Sequence, residues 1–320
     1  MIKDIIANNN NVKITVIIKR VLQGVANNNN PYLTLILQDS SGVISARLWD
    51  VKPQDIKALI TGKIATIFAN SLLYNNELQL KINQYQILNE KEAEKYYQDL
   101  VLSAPINVEK EWKEIVETIS DFDNQILKKV LLYLLKKYEK EFTTRPAAVR
   151  MHHNVRSGLL WHTATMLKTA KMIVKIYHDR DINQDLLYAG IIMHDFGKIW
   201  ELNDQLVTSF TLQGSMEGHI VLGSEQISLA CQELKISIQE PVIVLLKHLI
   251  LASHGRYEFG SPVLPRILEA EIVHQIDNLD AKITIVDEGL KNIAEQEMTN
   301  RLVAVENRSF YKHAIKKSKE

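Results

Sequence analysis

Residues 191–198 read Ile-Ile-Met-His-Asp-Phe-Gly-Lys. The apolar residues are typical of a buried helix, and the run ends in the adjacent pair His194 and Asp195. Imidazole and carboxylate groups are the ligands that hard and borderline divalent metals take from proteins. Groups of this kind in apolar sequence need partners, and joint ligation of a metal ion would satisfy them. The stretch therefore predicts a metal site within a helical domain.

Further histidines and aspartates recur along the second half of the chain. His162 lies at the start of a predicted apolar helix, while Asp277 and Asp280 are three residues apart and would share one helix face. The other candidate ligands are His219, His248 and His254. The competing interpretation is that these groups form structural salt bridges or lie on solvated faces.

Composition limits the class of protein. The 38 basic residues equal the 38 acidic ones, which argues against a protein that coats nucleic acid by bulk charge but allows a local basic track. The single cysteine, Cys231, excludes an internal disulfide and fits a reducing cytoplasm. Apolar stretches such as 242–252 are broken by polar residues and are shorter than the ~18 residues of a membrane span. We expect a cytoplasmic protein with no membrane segment.

The chain divides into two compositional halves. Alternating β-branched and apolar residues predict strands at 13–18, 32–38, 43–49, 62–69 and 77–82, which indicates a small closed all-β barrel. From residue 91 the spacing is helical, most clearly over 109–140. We predict a multidomain protein: a barrel domain at 1–90, a helical linker region at 91–150 and an all-α domain at 151–320. The apolar content of 109–140 would also allow contacts in a homo-oligomer.

The order of the candidate ligands resembles a known signature. His162, the pair His194-Asp195 and Asp277 follow the H…HD…D pattern of the HD superfamily of metal-dependent phosphohydrolases. Longer strings resemble one branch, the YhaM-type 3′→5′ exoribonucleases, in which an OB-fold precedes the HD domain. These strings lie at 191–198, 217–220, 258–262 and 276–282, and the strand string that ends at 46–50 is similar to the OB-fold of this branch. The resemblance covers nearly the whole chain.

The resemblance implies a set of metal ligands, namely His162, His194, Asp195 and Asp277. Asp277 is chosen over Asp280 because it fills the first of the two Asp positions in the family string. Additional histidines in such proteins often bind a second metal, for which Asp195 is the natural bridging ligand. The candidates are His219, His248 and His254.

One departure from the branch concerns this second ion. The chain has Ser253 before His254 where a His-His pair is more usual, so a second ion would have one imidazole fewer or a water in its place. Nitrogen and oxygen ligands without thiolate suit Mn²⁺ or Mg²⁺, with Fe²⁺ and Co²⁺ as further candidates. The family indicates Mn²⁺.

The activity that the resemblance implies is hydrolysis of single-stranded RNA from the 3′ end to nucleoside 5′-monophosphates. Hydrolysis of single-stranded DNA is left open as an additional activity. Asp195 and Lys198 would be its catalytic residues. The Lys198 ammonium would contact a nonbridging phosphate oxygen, whereas the alternative is a solvated lysine at a helix end. Strand binding in the barrel would involve aromatic and basic side chains, and the candidates are Tyr32, Arg47 and Trp49.

Two other functions remain open from the residues themselves. One is hydrolysis of a small nucleotide, although a mononucleotide gains little from a barrel suited to single strands. The other is a nonenzymatic nucleic-acid-binding factor in which the metal only stabilises the fold.

Overall fold

The computed structural model describes residues 1–26, 30–75, 77–96, 100–149, 155–203, 207–291 and 293–315. The chain forms two compact units. One comprises Met1–Ser103 with Asp204–Val207, and the other comprises Ala104–Asn203 with Thr208–Glu320.

The first unit is built on a five-stranded closed barrel. Its strands are β1 (Val12–Val25), β2 (Pro31–Asp39), β3 (Gly42–Leu48), β4 (Ile64–Tyr74) and β5 (Glu77–Ile87). They follow the order β1-β2-β3-β5-β4, and neighbours are antiparallel except for the parallel pair of β3 and β5. Helix α1 (Pro53–Ala58) connects β3 to β4, and α2 (Glu90–Glu94) follows β5. This Greek-key barrel is an OB-fold, so the predicted fold class is confirmed.

Alternation of side chains explains why these sequences form the barrel. In β2, Leu33, Leu35 and Leu37 are buried while the residues between them are partly exposed. Successive strand residues point to opposite faces, so every second position faces the barrel core. The first strand continues seven residues beyond its predicted end at residue 18, because Val25 still pairs with Pro31 of β2.

The second unit is helical, as predicted. Its helices are α3 (Val108–Ser120), α4 (Gln125–Lys137), α5 (Glu139–Thr144), α6 (Gly158–Ile176), α7 (Gln184–Met193), α8 (Lys198–Glu201), α9 (Leu212–Glu233), α10 (Pro241–Leu251) and α11 (Leu268–Lys291). Asparagine side chains cap several N-termini; for example, Asn183 accepts the backbone N–H of Leu186 at the start of α7. Helix α7 is apolar on all sides, which matches its position in the core.

Helices α3 to α5 belong to the core of this unit. Ile115, Leu131 and Phe142 lie in the same buried cluster as Leu187 and Ile191 of α7. The most apolar positions of 109–140 are thus used inside the unit, and they supply no argument for a homo-oligomer. The domain limits at residues 90 and 150, like the homo-oligomer, stay predictions.

Candidate metal centre

Two neighbouring helices present the first group of ligand atoms. His162 lies in the second turn of α6, and His194 and Asp195 follow directly after the last residue of α7. All three side chains are buried, and one ligand atom from each lies within 4.8 Å of the others. The Nε2 atoms of His162 and His194 are 3.2 Å apart, and they lie 3.6 Å and 3.4 Å from Asp195 Oδ2.

A second pair of imidazoles faces the other oxygen of Asp195. The Nε2 atoms of His219, on α9, and His254, after α10, are 3.3 Å apart. His219 Nε2 lies 3.5 Å from Asp195 Oδ1. Asp195 therefore stands between two histidine pairs, with one carboxylate oxygen directed at each. This arrangement would allow the Asp195 carboxylate to contact a cation on each side.

The far side of each imidazole is fixed by a hydrogen bond. The Nδ1 atoms pair with Asp280 Oδ2 at 2.7 Å (His162), Ile191 O at 2.8 Å (His194), Glu201 Oε1 at 2.9 Å (His219) and Phe259 O at 2.7 Å (His254). Because an oxygen of this kind accepts a proton from Nδ1, a neutral ring then carries its lone pair on Nε2. Two such lone pairs at 3.2–3.3 Å repel each other unless a proton or a metal cation lies between them. The donor set thus fits a divalent metal.

The two aspartates of α11 lie on different sides of His162. Asp277 Oδ1 is 3.3 Å from His162 Nε2, on the side of the other ligand atoms. Asp280 contacts Nδ1 instead, so it orients the imidazole ring from the side opposite to the ligand atoms. This geometry favours Asp277 as a ligand and Asp280 as the residue that sets the tautomer of His162.

Glu201 is a residue that the sequence reasoning missed. Its Oε1 accepts the backbone N–H of His219 at 3.0 Å and its ring N–H at 2.9 Å. Both bonds are available because α9 kinks at Gly218, where φ is 74° and ψ is 156°. A positive φ is costly for residues other than glycine. The Glu-Gly-His string at 217–219 is the sequence signal that could have indicated this special backbone position.

The charges of the centre reinforce one another. Burial lowers the pKa of His162, but hydrogen bonds with Asp277 and Asp280 outweigh it and raise the pKa to about 9. Burial raises the pKa of Asp277, but its bond to His162 prevails and lowers it to about 2. Carboxylates that favour a proton on His162 would equally favour a metal cation beside it.

Asp195 and Lys198 form a buried ion pair. Lys198 Nζ donates to Asp195 Oδ2 at 2.7 Å, and its side chain is 17% exposed, which contradicts the alternative of a solvated lysine. Burial opposes charge on both groups, yet their mutual attraction holds the pKa of Asp195 well below its ordinary value and raises that of Lys198. Lys198 is therefore an ammonium at neutral pH.

A small cavity opens onto these groups. Its volume is about 130 Å³, and its walls are formed by Ala147, His162, Asp195, Lys198, His254, Asp277 and Ala281. Imidazole, carboxylate and ammonium groups thus line one small cavity. A cavity of this kind suits ions, water and a phosphate group, whereas pockets for drug-sized ligands measure roughly 300–1,000 Å³.

His248 is the one predicted ligand that the structure does not bring to this cluster. Its Nε2 accepts the backbone N–H of Arg266 at 3.0 Å, and no contact among the described residues joins it to the ligands above. Burial and the charge of Arg266 lower the pKa of His248. Ligation through Nε2 would require that hydrogen bond to break.

The three predicted nucleic-acid-binding residues meet on the barrel. The Arg47 guanidinium lies 5.8 Å from the ring centroids of both Tyr32 and Trp49, and these two centroids are 5.1 Å apart. Tyr74 adds a third ring at 5.1 Å from the guanidinium. Lys81 lies opposite Arg47 in the register of β3 and β5. Trp49 and Tyr74 are 37% and 48% exposed, so part of this aromatic and basic surface meets solvent.

Comparison with known proteins agrees with this architecture. The HD domain family matches residues 160–282, which include all six clustered ligands. A 3′-5′ exoribonuclease YhaM of Geobacillus sp. strain WCH70 is 42% identical over 301 residues, which cover 94% of this chain and 91% of that protein. The chain belongs to the YhaM family. The alignment with this one YhaM relative extends over both the barrel and the helical unit.

Solved structures similar to part of the chain include an OB-fold domain and the protein PriB. The second OB-fold domain of replication protein A from Methanococcus maripaludis is 16% identical, covers 28% of this chain and 94% of that one, and gives a TM-score of 0.24. PriB from Ralstonia solanacearum is 9% identical, covers 25% and 98%, and gives 0.22. Within the described residues, none of the helices has the length and apolar content needed to cross a bilayer.

Proposed function

We propose that this member of the YhaM family is a metal-dependent 3′→5′ exoribonuclease that hydrolyses single-stranded RNA to nucleoside 5′-monophosphates. The observation that carries the proposal is Asp195, placed between two inward-facing histidine pairs at a cavity of phosphate size. The relative with 42% identity is named a 3′-5′ exoribonuclease, and the direction and the product are taken from the family.

The ligands divide into two groups. His162, His194, Asp195 and Asp277 would hold one ion, while His219, His254 and the second oxygen of Asp195 would hold another. Bound divalent ions lower the pKa of water and neutralise charge on the phosphate. We propose Mn²⁺ as the resident metal, with Mg²⁺, Co²⁺ and Fe²⁺ as alternatives, because the ligands are oxygen and nitrogen without thiolate.

Asp195 and Lys198 are the proposed catalytic residues. Asp195 aligns both halves of the centre, and Lys198 stands on the cavity wall as a permanent cation. Its ammonium would donate to a nonbridging phosphate oxygen, a contact that strengthens as negative charge grows there. Hydrolysis adds a water oxygen to phosphorus, breaks the bond between phosphorus and O3′, and leaves O3′ as a hydroxyl group.

The barrel would bind the strand. Arg47 supplies a cation, and Tyr32 and Trp49 supply rings on which bases stack, the combination by which OB-folds hold single strands. Such contacts tolerate sequence and sugar type, so single-stranded DNA is proposed as a second substrate class. We further propose that the protein works in the cytoplasm.

The test is a cleavage ladder. RNA labelled at its 5′ end should shorten progressively with Mn²⁺, RNA labelled at its 3′ end should release labelled mononucleotide at once, and chelator should stop both reactions. Asp195→Ala should still bind RNA but lose metal-dependent cleavage. Turnover of a mononucleotide panel with intact RNA would instead favour the small-nucleotide hydrolase. RNA binding without cleavage by the wild type would favour the nonenzymatic factor.

A further inference from the structure

The turn between α10 and α11 presents two large aromatic side chains to solvent. Tyr257 is 62% exposed and Phe259 is 55% exposed. The Arg256 guanidinium lies 5.7 Å from the centroid of the Phe259 ring and 3.8 Å from the Glu258 carboxylate. Exposed rings cost free energy that burial against a ligand would recover. Both rings are therefore accessible to a ligand.

This turn is ordered by its own backbone hydrogen bonds. The N–H of Phe259 donates to Arg256 O at 3.2 Å, that of Gly260 to Tyr257 O at 2.9 Å, and that of Ser261 to Arg256 O at 3.2 Å. The rings are thus presented by a fixed segment. A binding surface that is already ordered loses less entropy when the ligand arrives.

The same turn is attached to the metal centre. The carbonyl oxygen of Phe259 accepts the Nδ1 proton of His254 at 2.7 Å, and His254 lines the cavity. The main chain of Phe259 is therefore one hydrogen bond away from a side chain of the reaction site. A substrate whose phosphate occupies the cavity would have its adjacent groups in this neighbourhood.

The size of the cavity decides what must lie outside it. A space of about 130 Å³ is well below the roughly 300–1,000 Å³ of pockets that enclose drug-sized ligands, so it leaves little room for a nucleoside beside the phosphate. The flanking bases would then lie outside it, on the surface near its opening. Aromatic rings beside arginine are the groups that hold unstacked bases of single strands.

We propose that Phe259, supported by Arg256, stacks on the base of one of the two nucleotides that flank the scissile phosphate. The inference rests on the proposed exoribonuclease function and assigns a base-binding subsite to it. The ring would stack on the base, and the Arg256 guanidinium 5.7 Å from its centroid would add a cation–π contact beside its ion pair with Glu258.

The test is a cycle of enzyme and substrate changes. Manganese-loaded wild type and Phe259→Ala are compared on a short RNA with intact bases and on RNAs that are abasic at the last or the next-to-last nucleotide. Removing the ring should lower kcat/KM on the intact RNA by about 5- to 140-fold, the usual range for one stacked base. On one of the two abasic RNAs the variant and the wild type should be equal, because the interaction is already absent.

Further variants separate stacking from damage to the centre. Phe259→Trp should retain activity on the intact RNA, because the indole ring can stack on a base in place of the phenyl ring. The manganese affinity of Phe259→Ala should not change, because His254 contacts the backbone of Phe259 rather than its ring. The matched control is Tyr177→Ala, an aromatic residue with 51% exposure that lies roughly 22 Å along α6 from His162.

The outcomes distinguish this inference from the function on which it rests. Equal losses for Phe259→Ala on the intact and on both abasic RNAs would overturn the subsite, as would an unchanged kcat/KM on the intact RNA. Failure of the wild type to degrade RNA would instead overturn the exoribonuclease proposal, and the cycle would then have no starting rate.

Discussion

A single oxygen atom of Glu201 holds His219 in place by accepting both its backbone and its ring N–H. Hydrogen bonds from His219 also keep the pKa of Glu201 low against the opposing effect of burial, so the acceptor is a charged carboxylate. Removal of such supporting groups typically weakens metal binding by about 10- to 100-fold. We predict a loss of this size at one of the two proposed manganese sites for Glu201→Ala, measured by calorimetric titration.

The matched control for this residue lies on the helix that carries His219. Glu225→Ala removes an exposed carboxylate from α9 and should leave both affinities unchanged. Asp280→Asn should weaken the other site, because Asp280 supports His162 rather than His219. Equal weakening of both sites by Glu201→Ala would contradict the division of the ligands into two groups.

Lys198 is expected to act on the rate rather than on metal affinity. Its positive charge lies 2.7 Å from Asp195 Oδ2, where it competes with a cation for the same carboxylate. Lys198→Met should therefore lower kcat by about 10²- to 10³-fold, as loss of one transition-state donor does, while manganese binds no more weakly. Steady-state kinetics with metal titration measures both quantities. Partial recovery of kcat in Lys198→Arg would support the role of the positive charge. Weaker manganese binding in Lys198→Met would contradict the expectation that Lys198 acts on the rate alone.

At the scale of elements, the approach of α8 to α9 positions the second histidine pair. A Cβ atom at Gly197 would lie 1.9 Å from the carbonyl oxygen of His219, so only glycine permits this approach. We predict that Gly197→Ala costs about 1–3 kcal/mol in the free energy of unfolding. In a unit of this size the Tm should fall by roughly 2–12 °C, which calorimetry would measure.

The facing glycine provides the control for that substitution. A Cβ at Gly223 of α9 would lie 3.4 Å from the backbone nitrogen of Gly197, which is close to ordinary contact. Gly223→Ala should therefore leave the Tm unchanged or raise it, since alanine favours the helix by up to ~1 kcal/mol. Comparable losses for both variants would show that the approach at Gly197 is not the limiting contact.

The elements that the sequence predicted well are those whose own residues specify them. The alternating leucines of β2 and the apolar run of α7 are local patterns, and both elements were found. The full extent of β1 was missed because its last residues are partly exposed and belong to the strand through pairing with β2. Pairing between distant residues leaves no local pattern.

The same distinction applies to the site. His194 and Asp195 were found because an apolar helix leads into them, and His162 because it begins another. The sequence did not distinguish His248 from His254. In the structure His248 lies within α10 and bonds to Arg266, whereas His254 follows α10 and contacts His219, which lies beside Asp195. Glu201 was missed because its role depends on the kink in a helix that begins eleven residues later.

On the scale of the whole molecule, the ligands connect segments that are far apart in the chain. They come from α6, from the end of α7, from α9, from the segment that follows α10, and from α11. All of these belong to the helical unit. The barrel has its own buried core and contributes no ligand among the described residues. Metal binding should therefore stabilise one unit and leave the other unaffected.

We predict that, in the full chain, manganese raises the Tm of the helical unit and leaves the Tm of the barrel unchanged. At 100 times its dissociation constant a ligand adds about 2.7 kcal/mol to the folded state. For a unit of this size that corresponds to a Tm increase of roughly 5–11 °C. Scanning calorimetry with manganese or with chelator measures the shift, and Asp195→Ala should abolish it because the carboxylate between the two histidine pairs is lost. The barrel's transition can be identified by comparison with a truncated chain. An equal rise in its Tm would show that stabilisation is not confined to the helical unit.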